Sequence, residues 1–356
     1  MNRSHSCPPP FSCIRALRVG LALLLVGVNL FGSKELVAAA QRSAPSSPEL
    51  VWPEPPDPPR IAFVQSISKS TDAGAKLSGF RRFANWISGA QQGTEPLVRP
   101  FGIAFDEQGN LCLTDTGANA VCFFDNAAKR WYRWEQIANR SFTSPVAIAK
   151  KGNVIFVADS GESPAIIAFS LEGKLLFHIS ENLTRASGLA ICGDRLFVAD
   201  AGGHCIALFD LQGKFLRRFG SRGTGAGQFN FPTHVAADSH GQIFVTDSMN
   251  SRIQVFDSNG QFLRQIGAPG DGPGSFGRPK GVAVDGEGHV YVSDAMFDNF
   301  QIFDSDCRLL LSIGHQGTGP GEFYLPGVVA VGRDNRIYVA DSYNGRVQVF
   351  QPIGKK

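Results

Sequence analysis

Six aspartates end six strand-like runs at near-regular intervals: Asp115 (LCLTD), Asp159 (IFVAD), Asp200 (LFVAD), Asp247 (IFVTD), Asp294 (VYVSD) and Asp341 (IYVAD). The spacings are 44, 41, 47, 47 and 47 residues. A fixed period constrains a chain strongly, because each repeat can bury its apolar surface only against its neighbours. This period is too long for leucine-rich or ankyrin units, and the runs are β-branched and aromatic rather than helical. It suits one four-stranded propeller blade per repeat. Forty glycines and 21 prolines punctuate the strands, as an all-β chain requires.

The expected fold is an all-β, six-bladed propeller of four-stranded antiparallel blades. Each repeat offers strands a, b, c and d, except the sixth, which ends at Phe350 followed by QPIGKK. An orphan strand-like run, IAFVQSI at 61–67, has the length and pattern of a d strand. It is predicted to complete blade 6 and close the ring, since an open ring would leave unpaired strand edges.

The N-terminus reads differently. Arg3, Arg15 and Arg18 precede the apolar run Val19 to Leu30, and Ala38-Ala39-Ala40 follows it. The run is short for a membrane span but fits a signal-peptide core. Residues 1–40 are therefore expected to be a secretory signal, or else an uncleaved anchor, or to follow a mis-chosen start codon. The protein would be exported to the periplasm or beyond, touching the membrane only through that segment. Residues 41–59 form a Pro-rich linker, and 60–352 the propeller. A short amphipathic helix is expected near 73–87, either capping the ring or meeting a partner.

Charge limits the partners. The signal segment holds four basic residues (Arg3, Arg15, Arg18, Lys34) and one acidic (Glu35). Without it the 34 basic and 31 acidic residues become equal in number. A phosphate-backbone ligand selects a basic face, so no nucleic acid is expected. Cys112 and Cys122 flank one loop on adjacent strands, and would either pair as a disulfide or remain free thiols.

The lead-ins at 220–232, 267–279 and 314–326 share the pattern G-x-x-G-x-G-x-G-x-F-x-x-P. No helix follows these glycines, so they are read as tight connections rather than a phosphate cradle. Together with G-V-A-V-D and I-Y-V-A-D-S-x-N-x-R-V-Q-V-F, this pattern resembles the NHL repeat. Blades 4 and 6 carry it best (Asn250 with Arg252, Asn344 with Arg346). The resemblance implies a six-bladed propeller closed by a strand from the other terminus. The Pro-rich entry and R-I-A-F-V also resemble exported bacterial NHL proteins of unassigned role. Amidating-lyase relatives place zinc-binding histidines just after the proline that starts strand a. Those positions here hold Phe101, Val146, Ser187, Thr233, Lys280 and Gly327, so that site is not carried over. The family does not set a function, because one fold hosts many sites.

Strand alternation puts the b–c loops and the d–a lead-ins on one face, with longer and more varied loops than the other. That face collects Met249, Asn250, Met296, Phe297, Asp298, Tyr343 and Asn344, alongside Thr233 and Lys280. Exposed Met and aromatic residues suit a protein or peptide surface, or else pack the loops themselves. Phe297, in the blade that lacks the Asn/Arg pair, is the best single contact. The six aspartates are read as structural acceptors of backbone N–H groups in the following turn, with Arg252 and Arg346 bracing the same loops. His234 is out of pattern near the channel, either as a ligand or acid–base group or as a lone lining residue. The expected role is a monomeric binding or scaffold module for an unknown protein or peptide, without cofactor or catalytic residues. The alternative is a metal-assisted lyase or hydrolase with its site in the central channel.

Overall fold

The structure is a computed structural model that describes residues 50–76 and 96–353. Residues 1–40, the expected signal segment, therefore lie outside the described residues. So does most of the helix expected near 73–87; of its span, Ala73 and Gly74 are a turn and Ala75 and Lys76 are irregular.

Five four-stranded antiparallel sheets and one five-stranded sheet make six blades. Blade 1 comprises Pro100–Phe105, Leu111–Asp115, Ala120–Asp125 and Arg130–Trp134 as strands a to d. Blade 2 begins with strand a at Pro145–Lys151, blade 3 at Ala186–Cys192, blade 4 at Pro232–Ala237, and blade 5 at Pro279–Val284. Blade 6 has strands a to c at Val329–Val331, Ile337–Asp341 and Arg346–Pro352. Its fourth strand comes from the other end of the chain. Ile61–Ile67 pairs antiparallel with Arg346–Pro352, Ile67 opposite Val347 and Phe63 opposite Phe350. Outside it Val51–Trp52, read from sequence as linker, adds a short fifth strand on Ile61 and Ala62.

Alternation along each strand explains why the blades stack. In blade 4, Ile243 and Val245 face the apolar cluster shared with blade 3, while Phe244 between them faces the cluster shared with blade 5. Period-two side chains thus serve two interfaces at once. Six such clusters run round the ring, one between each pair of neighbouring blades.

The lead-in phenylalanines enter these clusters. Phe276 is fully buried against Phe303. A methyl on Gly267 would stand 2.2 Å from the Phe276 ring, and Gly267 has φ of 74°, so only glycine serves there.

The same register settles the cysteines. The b–c loop of blade 1 pairs Asp115 with Ala120, so Cys112 lies opposite Phe123 and Cys122 opposite Leu113. The two thiols point to opposite faces of the sheet, into different clusters, and no disulfide joins them. The facing pair considered from sequence is one residue out of register.

Candidate functional site

The strand-end aspartates are buried, and each gathers backbone N–H groups from the lead-in upstream. Asp115 accepts from Val98 N (2.7 Å) and Arg99 N (2.8 Å), and also from Gly117 and Ala118 in the turn that follows. Asp200 accepts from Thr184 and Arg185, and Asp294 from Gly277 and Arg278. Asp159 accepts from Thr143 and Ser144. Asp247 and Asp341 take one lead-in N–H each, from Asn230 and Tyr324. The acceptor role expected from sequence is present, but its main partners are the residues just before strand a rather than the following turn.

Blades 4 and 6 add a second layer. Arg252 donates to Asp247 at 2.8 Å and to the carbonyls of Gly225 and Gln228. Arg346 repeats this with Asp341, Gly319 and Glu322. Asn250 donates to Gly223 and Asp247, and Asn344 to Gly317 and Asp341. These two asparagines, expected on a binding surface, are occupied in holding the lead-ins down.

The clamped lead-ins and the b–c loops meet around the channel axis and enclose an open cavity of about 950 Å³. Five of the residues singled out from sequence line it: Met249, Lys280, Met296, Asp298 and Tyr343. Met296 is 66% exposed, Met249 51% and Tyr343 50%. Phe297 is half-buried and does not line the cavity, so Met296 presents the apolar side chain of that loop. Thr233 donates its hydroxyl to the Lys280 carbonyl and joins blades 4 and 5.

His234 lies elsewhere. It lines a second cavity of about 460 Å³, bounded by the a strands and reaching the a–b turns of the opposite face. Val282 N–H donates to its Nδ1 at 3.4 Å. Burial pushes its pKa down to about 4, so the ring is neutral at pH 7. In that cavity Lys150 pairs with Asp106 at 2.8 Å, both side chains almost wholly buried. Burial alone would raise the Asp106 pKa, but hydrogen bonds from Lys150 and Asn110 hold it below the usual range.

Sequence reasoning missed a charge pattern at the first cavity. The residue immediately before strand a is Arg99 in blade 1, Arg185 in blade 3 and Arg278 in blade 5. The aligned residues of the even blades are Ser144, Phe231 and Leu325, the last just before Pro326 of the blade 6 lead-in. All three arginines are exposed and line the cavity. Three residues on, the odd blades have Gly102, Gly188 and Gly281, and the even blades Ala147, His234 and Val328. The glycines let the next blade close in. A methyl on Gly188 would stand 2.7 Å from His234 Cα, and one on Gly281 2.7 Å from Val328 Cα. The signal R-x-x-G was legible in every second repeat, but not when each repeat is compared with a single consensus. Among the described residues no three His, Cys, Asp or Glu side chains form a group suited to a metal ion.

Comparison with known proteins agrees with this architecture. Residues 236–300 match a family described as a 6-bladed beta-propeller, and residues 323–350 match the NHL repeat. Among solved structures, a streptogramin B lyase superposes with a TM-score of 0.54 at 12% identity, over 73% of this chain and 95% of that one. An auxiliary nutrient binding protein from Bacteroides ovatus gives 0.56 at 13% identity, over 83% and 77%. Virginiamycin B lyase from Staphylococcus aureus gives 0.52 at 12%, over 72% and 96%. At such identities the likeness concerns the fold. The chain is a six-bladed β-propeller that carries an NHL repeat at residues 323–350.

Proposed function

We propose that the protein is an exported binding module that captures a protein or peptide partner at the mouth formed by the lead-ins and b–c loops. The observation that carries this reading is the concentration of exposed Met249, Met296 and Tyr343 around one concave cavity on the channel axis. Exposed apolar side chains that converge on a concavity suit an interface, with methionines able to adapt to a partner's shape. Their loops are held from below by buried aspartates, so the surface is pre-organised. Random-peptide display against the full chain tests it. Selected binders should lose ten-fold or more in affinity on Met249→Asp with Met296→Asp, at unchanged melting temperature. Glu107→Gln on the opposite face should leave them unaltered. Binders indifferent to both methionines would overturn the reading.

A further inference from the structure

The cations of this mouth form no side-chain ion pair among the described residues. Arg99, Arg185 and Arg278 stand on alternate blades, a third of a turn apart round the axis. Lys280, two residues beyond Arg278 on strand a of blade 5, is more enclosed than the arginines. None of the four has a carboxylate within ion-pair distance among the described residues. Arg99 lies over the Tyr343 ring at 4.6 Å, and Arg278 approaches Met249 Sδ at 3.9 Å. Both are contacts with the apolar rim itself. Burial lowers the Lys280 pKa, and Arg278 and Arg185 lower it further, against a smaller opposing pull from Asp294.

One carboxylate lines the cavity, and it is engaged. Asp298 accepts from Leu325 N at 2.6 Å, and burial raises its pKa. Four cations therefore converge on a cavity whose lining holds one tied acid, while Asp115, Asp200 and Asp294 lie buried beneath it, engaged by lead-in N–H groups. Like charges that crowd a partly desolvated site repel one another, and an anion brought among them relieves that repulsion. Arginine also offers paired donors that match a carboxylate.

We infer that the mouth recognises an acidic peptide segment, its carboxylates on Arg99, Arg185, Arg278 and Lys280 and its apolar side chains on Met249, Met296 and Tyr343. This rests on the binding reading given above and adds the chemistry of the partner. Alternation favours a peptide. Acidic and apolar side chains spaced along one chain match cations and apolar groups spaced round one rim. A nucleic acid strand presents a phosphate at every nucleotide and selects an extended basic track. Here the four cations are confined to one bowl, and the whole chain carries a formal charge of only +3.

The same display experiment, read for composition, tests the inference. Peptides enriched on the unaltered full chain should be rich in Asp and Glu interspersed with apolar residues. Selected peptides resynthesised with Gln for Glu and Asn for Asp should bind at least ten-fold more weakly. Arg185→Glu with Arg278→Glu should shift the enriched set toward Lys and Arg. These side chains are exposed, so the fold should survive, and the melting temperature verifies that it does. Peptides that need the methionines but carry no acidic bias would overturn the inference and leave the binding face standing. Peptides that need neither would overturn both. Displacement of the acidic peptides by a single-stranded RNA oligonucleotide at lower concentration would reject a peptide partner. Displacement by succinate at the peptide's own concentration would reduce the site to one for small carboxylates and likewise reject it.

Discussion

Arg252 is among the most heavily used side chains in the structure. It reaches Asp247, two lead-in carbonyls and Gln265, while only 7% exposed. Removing one partner of a buried charged pair strands the other, at a cost of about 3–5 kcal/mol. Arg252→Leu should therefore destabilise the protein by roughly that amount, measured by denaturant unfolding, whereas Arg308→Leu, on a solvent-exposed surface pair, should leave the unfolding midpoint nearly unchanged. His234 yields a pH prediction of definite sign. Its folded pKa of about 4 lies below the ordinary imidazole value of 6.5, so the unfolded chain binds a proton the folded chain refuses. The associated stability is complete above pH 6.5 and is lost as pH falls toward 4. The loss amounts to about 2 kcal/mol by pH 5. His234→Gln should flatten the stability profile between pH 7 and 5; an unchanged slope would show that other groups govern it. The aspartate role was readable from sequence because a carboxylate at a strand end has few uses besides accepting N–H groups. Its partners were not, since Arg99 N lies 16 residues upstream of Asp115 and only the folded blade brings them together.

At the scale of elements, closure depends on strands with little sequence signature of their own. Ile61–Ile67 was legible because blade 6 lacked a partner and the run had the right period. Val51–Trp52 was not, because prolines crowd round it. Trp52 nevertheless packs edge-on against Phe350 at 5.6 Å, and Phe350 also meets Phe63, Phe300 and Phe323. Blades 5 and 6 and the N-terminal strand thus share one aromatic cluster. Deleting Pro59–Ser68 should lower the melting temperature of the whole domain in one cooperative transition, not merely fray one edge. Calorimetry of the truncated chain checks this, and an unaltered transition would contradict it. The cysteine register shows the limit of reading pairs across a loop. The four residues Thr116–Asn119 pair Asp115 with Ala120, and that choice of opposite residues decides which way both thiols face.

For the whole molecule, the repeat period announced the ring, and the ring decided which loops share a face. The proposed binding mouth was only half legible. Its methionines and Tyr343 stood out as apolar residues in polar loops, whereas three arginines in separate lead-ins look like ordinary loop residues until the blades bring them round one axis. The glycine alternation beneath them carries its own consequence. Each glycine blade leans on the following non-glycine blade, so the propeller counts in twos: three pairs rather than six equal parts. A ring grown or shortened by one blade would set two like blades side by side, either two glycine strands leaving a gap at the channel or two bulky strands competing for it. Gain or loss of a pair would preserve the match at every seam. Rotating the connectivity by two blades should likewise be benign where rotating by one is not. Parity, more than blade number, is the quantity this channel conserves.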